Sequence, residues 1–220
     1  MAIVKTPWIG RRALISGLAT AAALPLVPRT LRADSSLTIT PQQTLGPFYP
    51  KDWTGDIDND LVLVQGESAK ALGHITHVSG KILDAAGQPI RNAQVEIWQC
   101  DANGVYRHPR DTSWFSKRER DPGFQSRGRM STDAEGNYTF RTIRPVAYPG
   151  RTPHIHFKVD APDKDQLVTQ MYVEGDPGNE RDGILNSLPE RERASVIVRL
   201  EEADRLEQGA LAGVFNIVMG

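Results

Sequence analysis

The chain of 220 residues has one cysteine, Cys100, and no excess of charge of either sign. An intramolecular disulfide and a metal site built from several thiolates are therefore excluded. Lys and Arg number 26 against 27 Asp and Glu, so the sequence shows no basic footprint for nucleic acid. A Walker loop, a dinucleotide-binding glycine fingerprint, a G-x-S-x-G motif and an H-E-x-x-H motif are also missing. These absences argue against nucleotide-dependent, serine-hydrolase and zinc-peptidase chemistry.

Residues 1–33 differ from the rest of the chain, because they contain five basic residues and no acidic one. Their apolar run, residues 13–27, is shorter than the stretch of about 20 residues that a membrane span needs. It suits the hydrophobic region of a secretory signal, and the Arg11-Arg12 pair before it is typical of a twin-arginine signal. We therefore predict a signal peptide over 1–33 and export to the periplasm or the extracellular space. An uncleaved membrane-anchoring helix is the alternative.

The remaining chain is mildly acidic. Removal of the five basic residues of 1–33 leaves 21 basic residues against 27 acidic ones, a formal net charge of −6. Such a chain has no electrostatic reason to bind nucleic acid or anionic lipid. We expect no nucleic-acid partner and no stable membrane association after signal removal. A twin-arginine signal also indicates export of a folded protein, which predicts a cofactor that is loaded inside the cell.

Turn-rich composition and short apolar runs define the fold prediction. Residues 34–75 have many turn formers and no usable period, which predicts an irregular N-terminal arm packed on the core. Residues 76–220 predict an all-β catalytic domain, an antiparallel β-sandwich with long loops and one or two short helices. The clearest helical segment is Glu201–Gln208. The strand candidates are Thr76–Leu83, Ala93–Gln99, Tyr138–Arg141, His154–Val159, Leu167–Val173, Ser195–Leu200 and Val214–Met219.

Two histidines form the sharpest local signal. His154 and His156 flank Ile155, and on a strand they would project from the same face. Two imidazoles side by side are half of a site for Zn, Fe or Cu, although a polar patch without a metal is the alternative. The ligands that could complete a site are His74, His77, His108, Asp101, Asp160, Tyr106 and Tyr148.

The type of completing ligand decides the metal. A carboxylate such as Asp101 or Asp160 would make a facial triad for Fe(II), or a Zn site. A tyrosine has a pKa near 10, so Tyr106 or Tyr148 would need a strongly Lewis-acidic ion such as Fe(III) to ionise at neutral pH. The residues alone leave these alternatives open.

An ordered set of motifs covers the chain from Thr40 to its C-terminus. The motifs are PQQTLGPFY at 41–49, VEIWQ at 95–99, NGVYRHP at 103–109, FRTIRP at 140–145, RTPHIHF at 151–157, LVTQMY at 167–172 and GDP at 175–177. In this order they resemble the intradiol ring-cleavage dioxygenases, and most closely the protocatechuate 3,4-dioxygenase branch.

The resemblance implies a mononuclear non-haem Fe(III) and an enzyme that uses O2 to cleave a catecholic ring between its two hydroxylated carbons. The product would be a cis,cis-muconate, and protocatechuate is the first expected substrate. Tyr148 would be an axial ligand that leaves when the substrate binds and takes one of its protons. The implied iron ligands are Tyr106, Tyr148, His154 and His156.

The resemblance assigns further residues around the implied iron. Arg151 would contact the substrate and stabilise negative charge on its ring, and Gln170 would be a polar catalytic residue beside the ligands. Thr44, Gly46 and Pro47 would contact the substrate. Several relatives carry Trp at the position of Gly150, so the pocket wall is expected to be more open here. The resemblance also leads us to expect a homo-oligomer with a pocket shared between chains.

Three alternatives remain at this point. The turns Asp84–Pro89 and Asp133–Asn137 also resemble transthyretin-like modules, which are non-catalytic β-sandwiches that bind other proteins. A catechol- or hydroxyquinol-specific intradiol enzyme is disfavoured, because residues 34–75 show no helical dimerisation segment. The third alternative is the carboxylate-ligated Fe(II) or Zn enzyme.

Overall fold

The computed structural model describes residues 37–111 and 119–220. The predicted signal segment, 1–33, lies outside the described residues. Those that are described belong to one compact unit, Ser35–Gly220. Within them, no helix has the length and apolarity that crossing a membrane requires.

The described residues form strands and short helices along the following order. The strands are β1 (Ile75–Asp84), β2 (Gln94–Trp98), β3 (Arg127–Ser131), β4 (Asn137–Ile143), β5 (His154–Asp160), β6 (Leu167–Val173), β7 (Ile197–Val198), β8 (Glu201–Glu202), β9 (Leu211–Val214) and β10 (Ile217–Met219). A 3₁₀ helix spans Asn179–Arg181, and two α-helices, α1 (Gly183–Asn186) and α2 (Glu190–Ser195), lie between β6 and β7.

The strands build two sheets. In the first, β1 pairs antiparallel with β4 and parallel with β9 and β10, and β8 joins antiparallel to β9. In the second, the order is β3-β2-β5-β6-β7, and only the β6–β7 pair is parallel. The predicted all-β sandwich with short helices is confirmed, but the sheets are mixed: β1 forms parallel pairs inside the first sheet, and β7 adds a parallel pair at the edge of the second.

The core lies between the sheets and follows from the alternation of side chains along each strand. Val78 and Phe140 enter it from the first sheet, and Ile97 and Phe157 enter it from the second. All four side chains are fully buried. Burial of each such side chain contributes roughly 1.5–3 kcal/mol, so this shared core holds the two sheets together.

The other face of the second sheet is also covered. Trp98 on β2, His156 on β5 and Gln170 on β6 lie side by side across it, because the strand registers pair Trp98 with His156 and His156 with Gln170. A smaller apolar cluster forms on this face from Trp98, Cys100, Tyr106 and Val168. The second face is therefore where the predicted site residues meet.

Residues 37–74, called the arm below, are fully described and contain neither helix nor strand. Backbone hydrogen bonds attach them to both sheets: Thr40 donates to Val218 O at 2.9 Å, and Leu61 donates to Arg141 O at 2.8 Å. Gln43 donates to Val168 O on β6 at 2.7 Å. The arm thus reaches the outer face of the second sheet.

The predicted helix Glu201–Gln208 is wrong. Glu201 and Glu202 form β8 and pair with β9, and Ala203 N–H extends this ladder to Ala210 O at 2.8 Å. Only a single turn remains before Gly209, whose φ of 71° reverses the chain. Strand pairing therefore outweighs the local helical preference of this segment.

Other elements differ from the prediction in extent. The Ser195–Leu200 candidate is a strand only at β7, because Ser195 ends α2. The Val214–Met219 candidate is divided between β9 and β10. Strand β3 was not among the predicted strands, because its residues, RGRMS, lack an apolar alternation.

Candidate metal centre

His154 and His156 are neighbours on β5, as the alternation predicts. Their Nε2 atoms are 3.3 Å apart, and the side chains are almost fully buried. His154 Nδ1 lies 2.7 Å from Thr152 O, and we assign the proton to Nδ1 because a carbonyl can only accept. This leaves the Nε2 lone pair of His154 directed at its neighbour, as in a histidine that is oriented to bind a metal.

Both imidazoles are neutral. Burial, with the nearby Arg151 cation, lowers the pKa of His154 to about 4. Burial and the neighbouring His154 lower the pKa of His156 well below its ordinary value. Neutral imidazole is the form that binds metal ions, so burial prepares both residues for that role.

Tyr106 lies in the loop after β2 and is fixed by carboxylates. Asp111 accepts a hydrogen bond from Tyr106 N–H, and Asp101 accepts from Val105 N–H at 3.0 Å. Phe48 from the arm stacks on the Tyr106 ring, with centroids 4.6 Å apart and planes at 22°. The phenol is therefore held from both the backbone and the ring face.

Tyr148 begins a tight turn. Arg151 N–H donates to Tyr148 O at 2.9 Å, with Pro149 and Gly150 at the two central positions. Gly150 has a φ of 82°, so this is the Pro-Gly form of a type II turn. The turn brings the Tyr148 ring to 5.5 Å from the Tyr106 ring and 5.4 Å from the His154 ring.

The four side chains that were predicted as metal ligands thus converge. Whether they fit a cation is decided by the Tyr106 hydroxyl, which is buried and has no hydrogen-bond partner of acceptable geometry among the described residues. The Tyr148 hydroxyl is near enough to influence the pKa of Tyr106, which burial raises well above its ordinary value. A buried polar atom without a partner costs free energy that a bound cation would recover. The donor set of two neutral nitrogens and two phenols therefore fits a metal.

The other predicted ligands are engaged elsewhere. Asp101 accepts backbone hydrogen bonds, including Asp121 N–H at 2.8 Å, and Asp160 pairs with Lys158 at 2.9 Å. His74 contacts Gly209 O, His77 contacts Glu207, and His108 Nδ1 accepts from Arg110 N–H. Across residues 37–111 and 119–220, no group of three or more His, Cys, Asp or Glu could hold a metal. The carboxylate-ligated alternative has no support in this geometry.

Arg151 lies at the centre of a hydrogen-bond network beside the histidines. Its Nε donates to Asp182 at 2.8 Å, its Nη2 donates to Gln170 Oε1 at 2.6 Å, and its Nη1 is 3.4 Å from His154 Nε2. Burial alone would lower the pKa of Arg151, but the hydrogen bond and charge of Asp182 outweigh it and raise the pKa. The site therefore contains a permanent cation next to the predicted metal position.

The structure brings two of the three predicted arm residues to the site. Thr44 O accepts from Gln170 Nε2 at 3.4 Å, although the Thr44 side chain is exposed. Gly46 lies against His156, since a Cβ added there would be 3.2 Å from His156 Cε1. Pro47 is exposed between Gly46 and Phe48.

Sequence reasoning missed several residues of the site. Trp98 stacks on His156, and Tyr172 donates to Gln43 Oε1 at 2.7 Å. Asp182 holds Arg151. Side-chain alternation alone cannot tell which face of the sheet Trp98 and Tyr172 occupy. The registers of β2, β5 and β6 show that they lie on the same face as the two histidines.

A family model described as Dioxygenase matches residues 44–220. The chain is 40% identical over 182 residues to the protocatechuate 3,4-dioxygenase beta chain of Burkholderia cepacia, and the aligned region covers 79% of this chain and 76% of that protein. It is 32% identical over 157 residues to the hydroxyquinol 1,2-dioxygenase of Corynebacterium glutamicum, and this aligned region covers 63% of this chain and 47% of that enzyme.

Two solved structures extend the comparison. The dioxygenase domain of a dioxygenase and carbohydrate-binding protein fusion from Streptomyces sp. SirexAA-E superposes with a TM-score of 0.62 at 30% identity, and 82% of this chain and 97% of that chain are covered. An intradiol ring-cleavage dioxygenase from Tetranychus urticae superposes with a TM-score of 0.65 at 24% identity, with 84% and 95% covered. The second likeness concerns the fold alone.

Proposed function

The chain belongs to the intradiol ring-cleaving dioxygenases, and from this premise we propose that it acts with a mononuclear non-haem Fe(III). The reaction is the cleavage of a catecholic ring by O2 between its two hydroxylated carbons, to a cis,cis-muconate. The alternative of a non-catalytic transthyretin-like module is wrong, because the matching family and the curated relatives are dioxygenases. The proposed iron ligands are Tyr106, Tyr148, His154 and His156.

One observation supports this ligand set above the others. The Tyr106 hydroxyl is buried without a hydrogen-bond partner of acceptable geometry in the described chain, next to two neutral imidazoles whose Nε2 atoms are 3.3 Å apart. When bound, Fe(III) would supply the Lewis acidity that ionises phenol ligands and activates a chelated catecholate towards O2. Hard anionic oxygen ligands would in turn favour the ferric state.

The two tyrosines are suited to different roles. Tyr106 is 4% exposed, stacked on Phe48 and held through its backbone by Asp111, so its ring is fixed. Tyr148 is half-buried on a turn next to the open Gly150. Tyr148 is therefore the phenol that can move aside when the substrate binds, and its oxygen is positioned to take one substrate proton.

Arg151 can stabilise negative charge both on Tyr148 and on a bound catecholate. Burial raises the pKa of Tyr148, and the Arg151 cation opposes that rise, so Arg151 favours the phenolate form. The same guanidinium, held by Asp182 and Gln170, would stabilise the charge of a bound catecholate. Gln170 positions Arg151 through its Oε1 in this scheme.

The test is the visible absorption spectrum of the purified full chain, loaded with Fe(III), before and after anaerobic addition of a catechol. We expect a broad tyrosinate-to-iron charge-transfer band that shifts with the catechol. Tyr106→Phe and Tyr148→Phe should each weaken or shift the band. Tyr138→Phe, which changes a buried tyrosine of the core, is the matched control and should leave it unchanged. A protein that stays colourless after ferric loading in air would overturn the proposal.

We propose protocatechuate as the substrate. The 40% identity to a protocatechuate 3,4-dioxygenase beta chain supports this choice. A cavity of about 230 Å³ beside the Tyr148 turn is lined by Gly150, Arg151 and Arg181, among others. Arg181 is exposed and would offer a cation to a carboxylate on the ring.

Steady-state rates with protocatechuate, catechol and hydroxyquinol test the choice of substrate. We expect the highest kcat/KM for protocatechuate, and Arg181→Leu should raise KM for protocatechuate while leaving catechol turnover unchanged. A higher kcat/KM for catechol or hydroxyquinol would instead support the catechol- or hydroxyquinol-specific alternative.

We further propose that residues 1–33 direct export by the twin-arginine route. The support is the Arg11-Arg12 pair, the short apolar run and the absence of acidic residues in this segment. Replacement of both arginines by lysine should retain the protein in the cytoplasm of a bacterial host, whereas the unchanged chain should be recovered from the periplasm or the medium. Export of the double-lysine variant would refute the signal assignment.

A further inference from the structure

The two histidines of the site are oriented by different means. His154 is anchored through Nδ1, which donates to Thr152 O at 2.7 Å. His156 lacks this anchor, since its Nδ1 is buried and has no hydrogen-bond partner within the described residues. Metal-binding histidines almost always use the second ring nitrogen to fix the plane of the ring. Something else must therefore hold the His156 ring.

Trp98 is in contact with the His156 ring. The two ring centroids are 4.7 Å apart and the planes are 6° from parallel, which is the geometry of an offset parallel stack. Both side chains are at most 2% exposed, and the β2–β5 register pairs the two residues directly. A parallel stack restricts rotation about the bond that joins the imidazole to its Cβ, and this rotation is what would aim Nε2 away from the site.

The arm completes this arrangement. Tyr49 packs edge-on against Trp98, with centroids 5.0 Å apart and planes at 82°, and its hydroxyl donates to Glu96 Oε2 at 2.8 Å. Gly46 borders the other part of the His156 ring, at its Cε1–Nε2 edge. The imidazole is thus packed against an indole that is itself fixed from the arm.

We propose that Trp98 is the positioning residue for His156, and that its stacking replaces the hydrogen bond that His156 Nδ1 lacks. The inference rests on the proposed function, because it concerns how His156 is presented to iron. It assigns to Trp98 a role in metal retention and in the geometry of the site, not a contact with the substrate.

The experiment uses the full chain loaded with Fe(III) and compares Trp98→Leu with Trp98→Phe. Two quantities are measured: the rate at which a chelator removes the iron, and the electron paramagnetic resonance spectrum of the bound ferric ion. Loss of an interaction that orients a metal ligand typically weakens metal binding by 10- to 100-fold. We therefore expect Trp98→Leu to release iron about 10- to 100-fold faster and to broaden the ferric signal. Trp98→Phe keeps a ring for stacking and should stay within about threefold of the unchanged protein.

Phe140→Leu is the control for general destabilisation. Phe140 is fully buried in the core between the sheets, so this change should lower the unfolding temperature but leave iron release and the ferric spectrum unaltered. If Trp98→Leu releases iron at the same rate as the unchanged protein, the inference is overturned. An equal acceleration in Phe140→Leu, or a loss in Trp98→Phe as large as in Trp98→Leu, would overturn it as well. A wild-type chain that takes up no iron would refute the proposed function itself, before any variant is compared.

Discussion

Asp182 connects the stability of the protein to the position of Arg151, and its replacement is the sharpest test of the site. The carboxylate is fully buried and accepts four hydrogen bonds. One oxygen accepts from Arg151 Nε at 2.8 Å and Thr152 N–H at 3.0 Å, and the other caps α1 by accepting from the N–H groups of Ile184 and Leu185 at 3.0 Å. Burial alone would raise the pKa of Asp182, but the hydrogen bonds from Leu185 and Arg151 outweigh it and lower the pKa.

The magnitude follows from these contacts. Removal of one partner of a buried ion pair costs about 3–5 kcal/mol, and loss of an N-cap costs about 1 kcal/mol. Arg151 keeps its hydrogen bond to Gln170, so we take the lower end, about 3 kcal/mol, for the loss of the ion pair. With about 1 kcal/mol for the lost cap, Asp182→Ala should cost about 4 kcal/mol in the free energy of unfolding. Asp182→Asn keeps a capping oxygen and loses the charge, so we expect about 2 kcal/mol. At about 2–4 °C for each kcal/mol, the asparagine variant should melt about 4–8 °C lower.

The assay is urea unfolding of both variants followed by circular dichroism, with thermal melts as a second measurement. Asp52→Asn is the matched control, because Asp52 is 66% exposed and its carboxylate is 4.0 Å from the Arg127 guanidinium. Its urea midpoint should stay close to that of the unchanged protein. If the midpoint of Asp182→Asn does so as well, the ion pair with Arg151 is not a source of stability and the reasoning is refuted.

Three further changes test the fold. Arg141 forms two hydrogen bonds with Glu207 and lowers the pKa of Glu207 to about 2, so Glu207→Gln should cost about 1–2 kcal/mol at neutral pH. The stabilisation from a depressed carboxyl pKa is complete above the pKa of the unfolded chain and is lost as the pH falls to the pKa of the folded chain, so this difference should shrink between pH 5 and pH 2. A gap in melting temperature that does not change with pH would contradict it. Gly128→Ala should cost about 3 kcal/mol or more in the free energy of unfolding, because the new Cβ would be 2.2 Å from a backbone oxygen. In Gly150→Ala the new Cβ meets no atom within 4 Å, so this change should cost about 1–2 kcal/mol for the positive φ alone. Equal urea midpoints of the two variants would show that close packing does not govern these sites. Tyr138→Phe removes a buried hydroxyl that donates to a backbone carbonyl and should lower the unfolding free energy by about 1–2 kcal/mol, and an unchanged urea midpoint would argue against that hydrogen bond.

Local periodicity explains what could be predicted from the residues alone. The two histidines share a face because side chains alternate along any strand, and this needs no knowledge of the neighbouring strands. The parallel stack of Trp98 on His156 depends on the register between β2 and β5, whose residues are separated by a long stretch of chain. Tyr106 and Tyr148 come from loops without periodicity, so only the resemblance to a family singled them out.

The errors in the fold prediction have the same origin. The segment 201–208 has a local preference for helix, and pairing with β9 decides otherwise. β3 has no apolar alternation, and its second residue, Gly128, packs close to the Asp58 carbonyl of the arm. The partner is near in sequence in the first case and distant in the second, but in both cases a pairing that local preference does not reveal determines the conformation.

The contacts between the arm and β6 also have a consequence for the order of folding. They join residues that are 126 to 129 positions apart: Gln42 to Val168, Gln43 to Thr169 and Gln43 to Tyr172. Contacts of such long range close only after the loop entropy between them has been overcome, so they tend to form late. Because the arm also supplies Gly46 and Tyr49, the surroundings of His156 are completed only when the arm has docked on the second sheet. A complete metal site would then report that this long-range docking has taken place.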